Sequence, residues 1–193
     1  MPKRLLENHT GKCNNCSKKE LAGLYFALPY KEKTLTRKLI HQFKYKPYLK
    51  DLAKTLASII IEHFVLSGKN TNDIWENSVL VPVPMHKNKQ KERGYNQSEE
   101  LAKELSKVLK IPVILNNLIK IKPTKPQMEL KKAERAKNLE NAFSIINPAE
   151  LAGKKVFLVD DVYTTGSTMQ ECAKTLIRAG AKQVWGIAIA REG

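Results

Sequence analysis

The run VFLVDDVYTTGSTM, residues 156–169, constrains the fold of this chain more than any other stretch. Val156, Phe157, Leu158 and Val159 form a short, β-branched apolar run of the kind that makes a fully buried parallel strand. Asp160 and Asp161 stand where that strand is expected to end. A loop of small residues follows, Thr164, Thr165, Gly166, Ser167 and Thr168, and runs into an amphipathic helix. Met169, Cys172, Ala173, Leu176 and Ile177 fall at i, i+3, i+4, i+7 and i+8, and Gly180 sits where a C′ glycine ends a helix.

A helix N-terminus offers unpaired N–H groups and a partial positive charge, and a glycine before it lets the backbone close around a phosphate. The Thr and Ser hydroxyls add donors. Two carboxylates at a strand's carboxyl edge repel a phosphate but accept hydrogen bonds from vicinal hydroxyls. The pattern therefore suits a sugar phosphate. The plainer alternative is a turn with capping hydroxyls and an acidic loop.

With 193 residues the chain is long enough for one domain with a sound core and a small appendage. Its 42% hydrophobic and 27% charged content is that of a globular protein. The formal net charge of +15 favours an anionic substrate or a polyanionic partner such as nucleic acid, or else a lysine-rich surface that is merely solvated. No apolar run reaches membrane-spanning length, since Glu62 and His63 interrupt the longest, so no membrane insertion is expected. The opening MPKRLLENHT has no apolar signal core. Three cysteines argue against a disulfide framework, and a cytoplasmic location is the expectation.

Cys13 and Cys16 form a C-x-x-C, with His9 upstream. Two thiolates are half of a tetrahedral zinc site. Residues 24–30 read as a strand whose Pro29 points to a sheet edge. Residues 34–48 place Leu35, Leu39 and Phe43 on one helical stripe between basic residues. Interleaved cations and aromatics can hold single-stranded nucleic acid, or line the wet side of an amphipathic helix. A second helix is expected over 52–66, and a buried strand over 78–84. The basic loop MHKNKQKERGYNQ follows, then a helix capped by Ser98 with Leu101, Ala102, Leu105, Val108 and Leu109 on its buried side. Residues 112–121 and 142–146 read as strand regions, and 122–138 as a Lys-rich mobile loop with a short helix. Residues 184–190 close the series as a buried strand. Alternating strands and helices predict an α/β domain whose basic loop shares the sheet's carboxyl edge with Asp160 and Asp161.

Apolar strand, Asp-Asp, two residues, Thr-Thr-Gly-Ser-Thr and helix closely resemble the 5-phosphoribosyl 1-pyrophosphate (PRPP) signature of type I phosphoribosyltransferases. Three further stretches resemble the ComF/GntX-type subfamily associated with natural competence and DNA uptake: IHQFK with YKPYLKDLA, VPVPMHKNKQKERGYNQSEELA and KPTKPQMELKKAERAKNLENAF. The resemblance runs from Leu21 onward. It implies a type I phosphoribosyltransferase fold, a central mainly parallel sheet flanked by helices, over residues 24–193. Residues 1–23 would be a small N-terminal appendage, the remnant of a four-cysteine zinc module of which Cys13 and Cys16 are present.

By position, the resemblance gives Asp160 and Asp161 the ribose hydroxyls and Thr164, Thr165, Gly166, Ser167 and Thr168 the 5′-phosphate. The pyrophosphate would lie near Val83, Pro84, His86, Gly94, Tyr95, Asn96 and Gln97, with Arg93, Lys122 and Arg135 as cations and Gln127 in a flexible lid. Mg²⁺ would be held largely by substrate oxygens and waters. Thr164 stands where enzymes acting on 6-oxopurines carry an acid, which disfavours that acceptor class. No Cys follows Met1, so the nucleophile of glutamine-dependent amidotransferases is missing. Three functions stay open: phosphoribosyl transfer to an unidentified acceptor, single-stranded DNA handling with PRPP and competence machinery proteins as partners, and a nucleotide-sensing regulator without catalysis.

Overall fold

The computed structural model describes residues 20–45, 49–66, 75–123 and 138–192. Four parallel strands make the central sheet in the order β1-β6-β5-β2. They are β1 (Leu21–Tyr30), β2 (Ser78–Pro82), β5 (Lys155–Tyr163) and β6 (Gln183–Glu192). Pro29 lies on β1, an edge strand, the place in a sheet where a residue without an N–H is tolerated. At the other edge the chain returns beside β2, where Leu80 N–H donates to Pro112 O and Ile114 N–H to Leu80 O.

All five residues of β2 are buried, and Val156, Phe157, Leu158 and Val159 of β5 are at most 1% exposed. Such strands are apolar on both faces because helices cover both. On one face lie α1 (Leu35–Lys44), α2 (Leu52–Leu66) and α4 (Gln97–Leu109), packed on Phe157, Val159, Ile187 and Ile189. On the other, α5 (Ser167–Arg178) and the antiparallel pair β3 (Leu118–Lys120) and β4 (Phe143–Ile145) pack on Val156, Leu158, Val184 and Ala188. Each of the larger of these side chains contributes about 1.5–3 kcal/mol by leaving water. Gly23 lets β1 approach its neighbour, since a Cβ there would run into the Trp185 ring.

Several expectations shift. β1 opens at Leu21, so the sheet begins inside the segment assigned to the appendage. The buried side of α1 is Ile40 and Phe43, with Leu35 70% exposed, because the sheet and α2 select the face. The loop after β2 contains a short helix, α3 (Lys87–Arg93), and β2 itself stops at Pro82. Asn96, not Ser98, caps α4 by accepting from Ser98 N–H, and Val108 is exposed. β5 continues past Asp160 and Asp161 to Tyr163, because its pairing with β6 runs on to Tyr163 opposite Arg191. No helix among the described residues is long and apolar enough to cross a membrane.

Candidate functional site

After β2 the chain leaves through α4 on one face of the sheet, and after the adjacent β5 it leaves through α5 on the other. Two neighbouring parallel strands whose connections depart to opposite faces open a crevice at their carboxyl ends. The loop at 83–97 and the loop at 164–168 both arise there, as the sequence predicts. Val83 N–H donates to Val159 O across the crevice floor.

Successive side chains of a strand alternate between faces, so the two acids part company. Asp161 points to the α1 face and meets Lys44 Nζ at 2.8 Å. It is only 6% exposed, and its Oδ1 also accepts from Val162 N–H at 2.6 Å. Asp160 Oδ1 accepts from Ser98 Oγ at 3.0 Å and from Asp161 N–H at 2.9 Å. Burial and the Asp161 charge push the Asp160 carboxyl up to about 7, against the pull of Lys44, the Asp161 N–H and Ser98. Burial opposes the charge on Lys44, yet Asp161, Asp160 and Tyr30 together hold its ammonium above the usual range. The sequence places both acids at the sheet's carboxyl edge. Asp161 there is a buried, ion-paired side chain, met by Lys44 of α1.

Lys44 carried no assigned role in the sequence, and the motif RGYNQ explains how it arrives. Phe43 O, the carbonyl preceding Lys44, accepts two buried hydrogen bonds, from Tyr95 Oη at 2.6 Å and Gln97 Nε2 at 3.2 Å. Asn96 Nδ2 ties the same loop to Val83 O at 3.1 Å. Arg93 Nη1 donates to Gln97 Oε1 at 2.6 Å, and its guanidinium lies 5.7 Å from the Tyr45 ring centroid. Gly94 turns the chain at φ 84°, ending α3. Tyr95, Asn96 and Gln97, expected beside a pyrophosphate, are buried donors to main-chain oxygens that join α1 to β2.

At the other loop Gly166 is the N-cap of α5, at φ 78° and with no side-chain cap. A Cβ there would collide with the Tyr163 ring. Thr165 Oγ1 lies 3.0 Å from Ser167 Oγ and accepts from Ser167 N–H. Thr164 and Thr168 are half-buried in the same turn. The first N–H groups of α5 therefore adjoin a glycine turn with four flanking hydroxyl side chains, a geometry that accepts a phosphate.

His86 caps α3, its Nδ1 accepting from Asn88 N–H, and Pro84 is half-buried beside it. Lys122 Nζ donates to Glu140 O at 3.1 Å. Cys13, Cys16, Gln127 and Arg135 lie outside the described residues. Among the described residues no three His, Cys, Asp or Glu side chains gather to hold a metal ion. With Asp161 engaged by Lys44, the donor set suits a Mg²⁺ that brings phosphate oxygens and waters with it, not one caged by protein. Cys172 is buried, and burial pushes its thiol well above the usual range, the opposite of what zinc ligation needs.

The phosphoribosyl transferase domain family matches residues 42–192. Competence protein F of Haemophilus influenzae is 36% identical over 95% of this chain and 80% of its own length. DNA utilization protein YhgH of Escherichia coli is 34% identical over 76% of this chain and 64% of its own. Competence protein ComFC of Bacillus subtilis is 38% identical over 53% of this chain and 39% of its own.

Proposed function

This chain belongs to the phosphoribosyl transferase domain family, on the branch that holds competence protein F and ComFC, and from that premise we propose that its switch-point crevice binds PRPP with Mg²⁺. The observation that carries this reading is the pairing, across one strand end, of an acid pair with a glycine-turned helix N-terminus. Asp160 and Asp161 accept from the ribose hydroxyls, and the 164–168 turn with the α5 N–H groups takes the 5′-phosphate. The diphosphate lies toward the 83–97 loop, with Arg93, Lys122 and Arg135 as candidate cations.

Transfer breaks the C1–oxygen bond to diphosphate and forms a bond from C1 to the acceptor, so positive charge develops on the sugar. The protein's task is to fix the ribose, shield the leaving group's charge and keep water out. Mg²⁺ enters as part of the substrate and supplies charge neutralisation on the diphosphate. The acceptor is unassigned, and the setting is competence or DNA utilisation, as the relatives' names say of those proteins.

Calorimetric titration of PRPP with Mg²⁺ into the wild type and a D160N/D161N variant tests the site. Binding by the wild type alone supports the reading. Binding by neither, with both folded by circular dichroism, overturns it.

A second reading is favoured by the outward side of α1, where Lys33, Arg37, Lys38 and His41 line one groove of a chain of net charge +15. There the partner is single-stranded DNA, and PRPP regulates its handling. Affinity for a single-stranded oligonucleotide that falls steeply with salt, and falls further with R37A/K38A, is the expected sign.

A further inference from the structure

We propose that Lys44 is a positioning residue of the sugar-phosphate site: delivered by α1, it holds the Asp160–Asp161 pair in the charged, acceptor-only state that ribose hydroxyls require. The inference rests on the ribose role of the two acids given above and adds the group that makes the role workable.

Two adjacent carboxylates on one strand end, one 6% exposed, repel each other and resist ionisation together. A protonated acid spends its O–H as a donor, whereas both sugar hydroxyls approach as donors. Lys44 Nζ, 2.8 Å from Asp161, is the nearest compensating charge among the described residues, and it reaches both acids electrostatically. The groups facing the pair can be named element by element. They are Lys44 from α1, Tyr30 from the end of β1, Ser98 from α4, and Cys172 from α5, with Glu171 and Lys120 beyond Cys172. Among the described residues Lys44 is the one cation shown to act on both acids.

Its placement is also built. The carbonyl immediately before it takes two buried hydrogen bonds, from Tyr95 and Gln97. Phe43 is fully buried on one side of it, and the Tyr45 ring lies under Arg93 on the other. A lysine that served only to solvate a helix end would not need its main chain anchored from two directions.

The test is PRPP·Mg²⁺ affinity between pH 6.5 and 9 for the wild type, Lys44→Met, Lys44→Gln and Lys44→Arg. An opposite charge at this distance moves a carboxyl by roughly one to three pH units. K44M and K44Q should bind about tenfold or more weakly at pH 7, with the pH of half-maximal affinity raised by about one unit or more. K44R, which keeps the charge, should hold the wild-type midpoint. Two results overturn the inference: neutral variants that match the wild type, or that lose the same factor at every pH, which is the mark of a purely structural role. If only K44R folds, a shifted midpoint in that variant overturns it and an unchanged one supports it. A wild type that binds no PRPP overturns the functional reading itself, which keeps the two failures distinct.

Discussion

Ser98 Oγ donates a 3.0 Å hydrogen bond to Asp160 Oδ1, joining the first turn of α4 to the carboxyl-terminal half of β5 across 62 residues of sequence. The bond closes the crevice between the two halves of the site and favours the ionised carboxylate. Ser98→Ala should therefore raise the Asp160 carboxyl further and weaken PRPP binding at pH 7 by about tenfold, as for a hydrogen bond to a charged group. The loss should shrink toward pH 9. Calorimetry at the two pH values checks it.

Asp160 also leaves a signature in stability. Its folded value of about 7 lies above the ordinary 3.8 of an aspartate, so between them the folded state holds more protons than the unfolded one. Stability from this group is complete below about pH 4 and is lost as pH rises through 7. Asp160→Asn cannot ionise, and should melt above the wild type by about 3 °C or more at pH 8. At pH 4 the two should converge. Thermal scans by circular dichroism across that range give the comparison.

At the phosphate turn, Gly166→Ala meets two separate obstacles, a left-handed φ of 78° and the Tyr163 ring. The substitution should cost about 2 kcal/mol or more in urea unfolding. Adding Tyr163→Ala removes the collision and leaves the backbone term. The double variant should recover part of the loss relative to Y163A alone, and the cycle apportions the two causes.

Cys172 is 0% exposed, and burial is the leading reason its thiol is pushed up. In a C13S/C16S background it should resist a thiol-specific reagent in native buffer and react fully in denaturant. Rapid labelling of the native protein would show that α5 opens from the sheet.

The stretch at 156–169 was legible because its signals are local: an apolar run for β5, period-3.6 spacing for α5, and a glycine where the helix starts. Gly166 was read for its freedom near a phosphate, and the Tyr163 ring adds a steric need that sequence does not display. The family match at 42–192 bears out the fold that this stretch implied. What sequence could not carry was partnership between layers. Lys44 and Asp161 stand far apart in the chain, and nothing near either residue announces the other. Leu35, Leu39 and Phe43 had the right spacing for a buried stripe, yet tertiary packing buried Phe43 with Ile40 and left Leu35 exposed. The family resemblance set the polar run RGYNQ beside a pyrophosphate. Most of that polarity is spent on main-chain oxygens of the protein itself.

The acceptor in that last contact is a peptide oxygen, and this has an evolutionary consequence. No replacement at position 43 other than a deletion can remove the Phe43 carbonyl, so the address of the following residue is written in the backbone. Drift at 43 alters how well the core fills, while the identity of the residue at 44 can vary without disturbing its location. A lineage can thus exchange the charge presented to the acid pair in a single mutational step, retuning the site without rebuilding it.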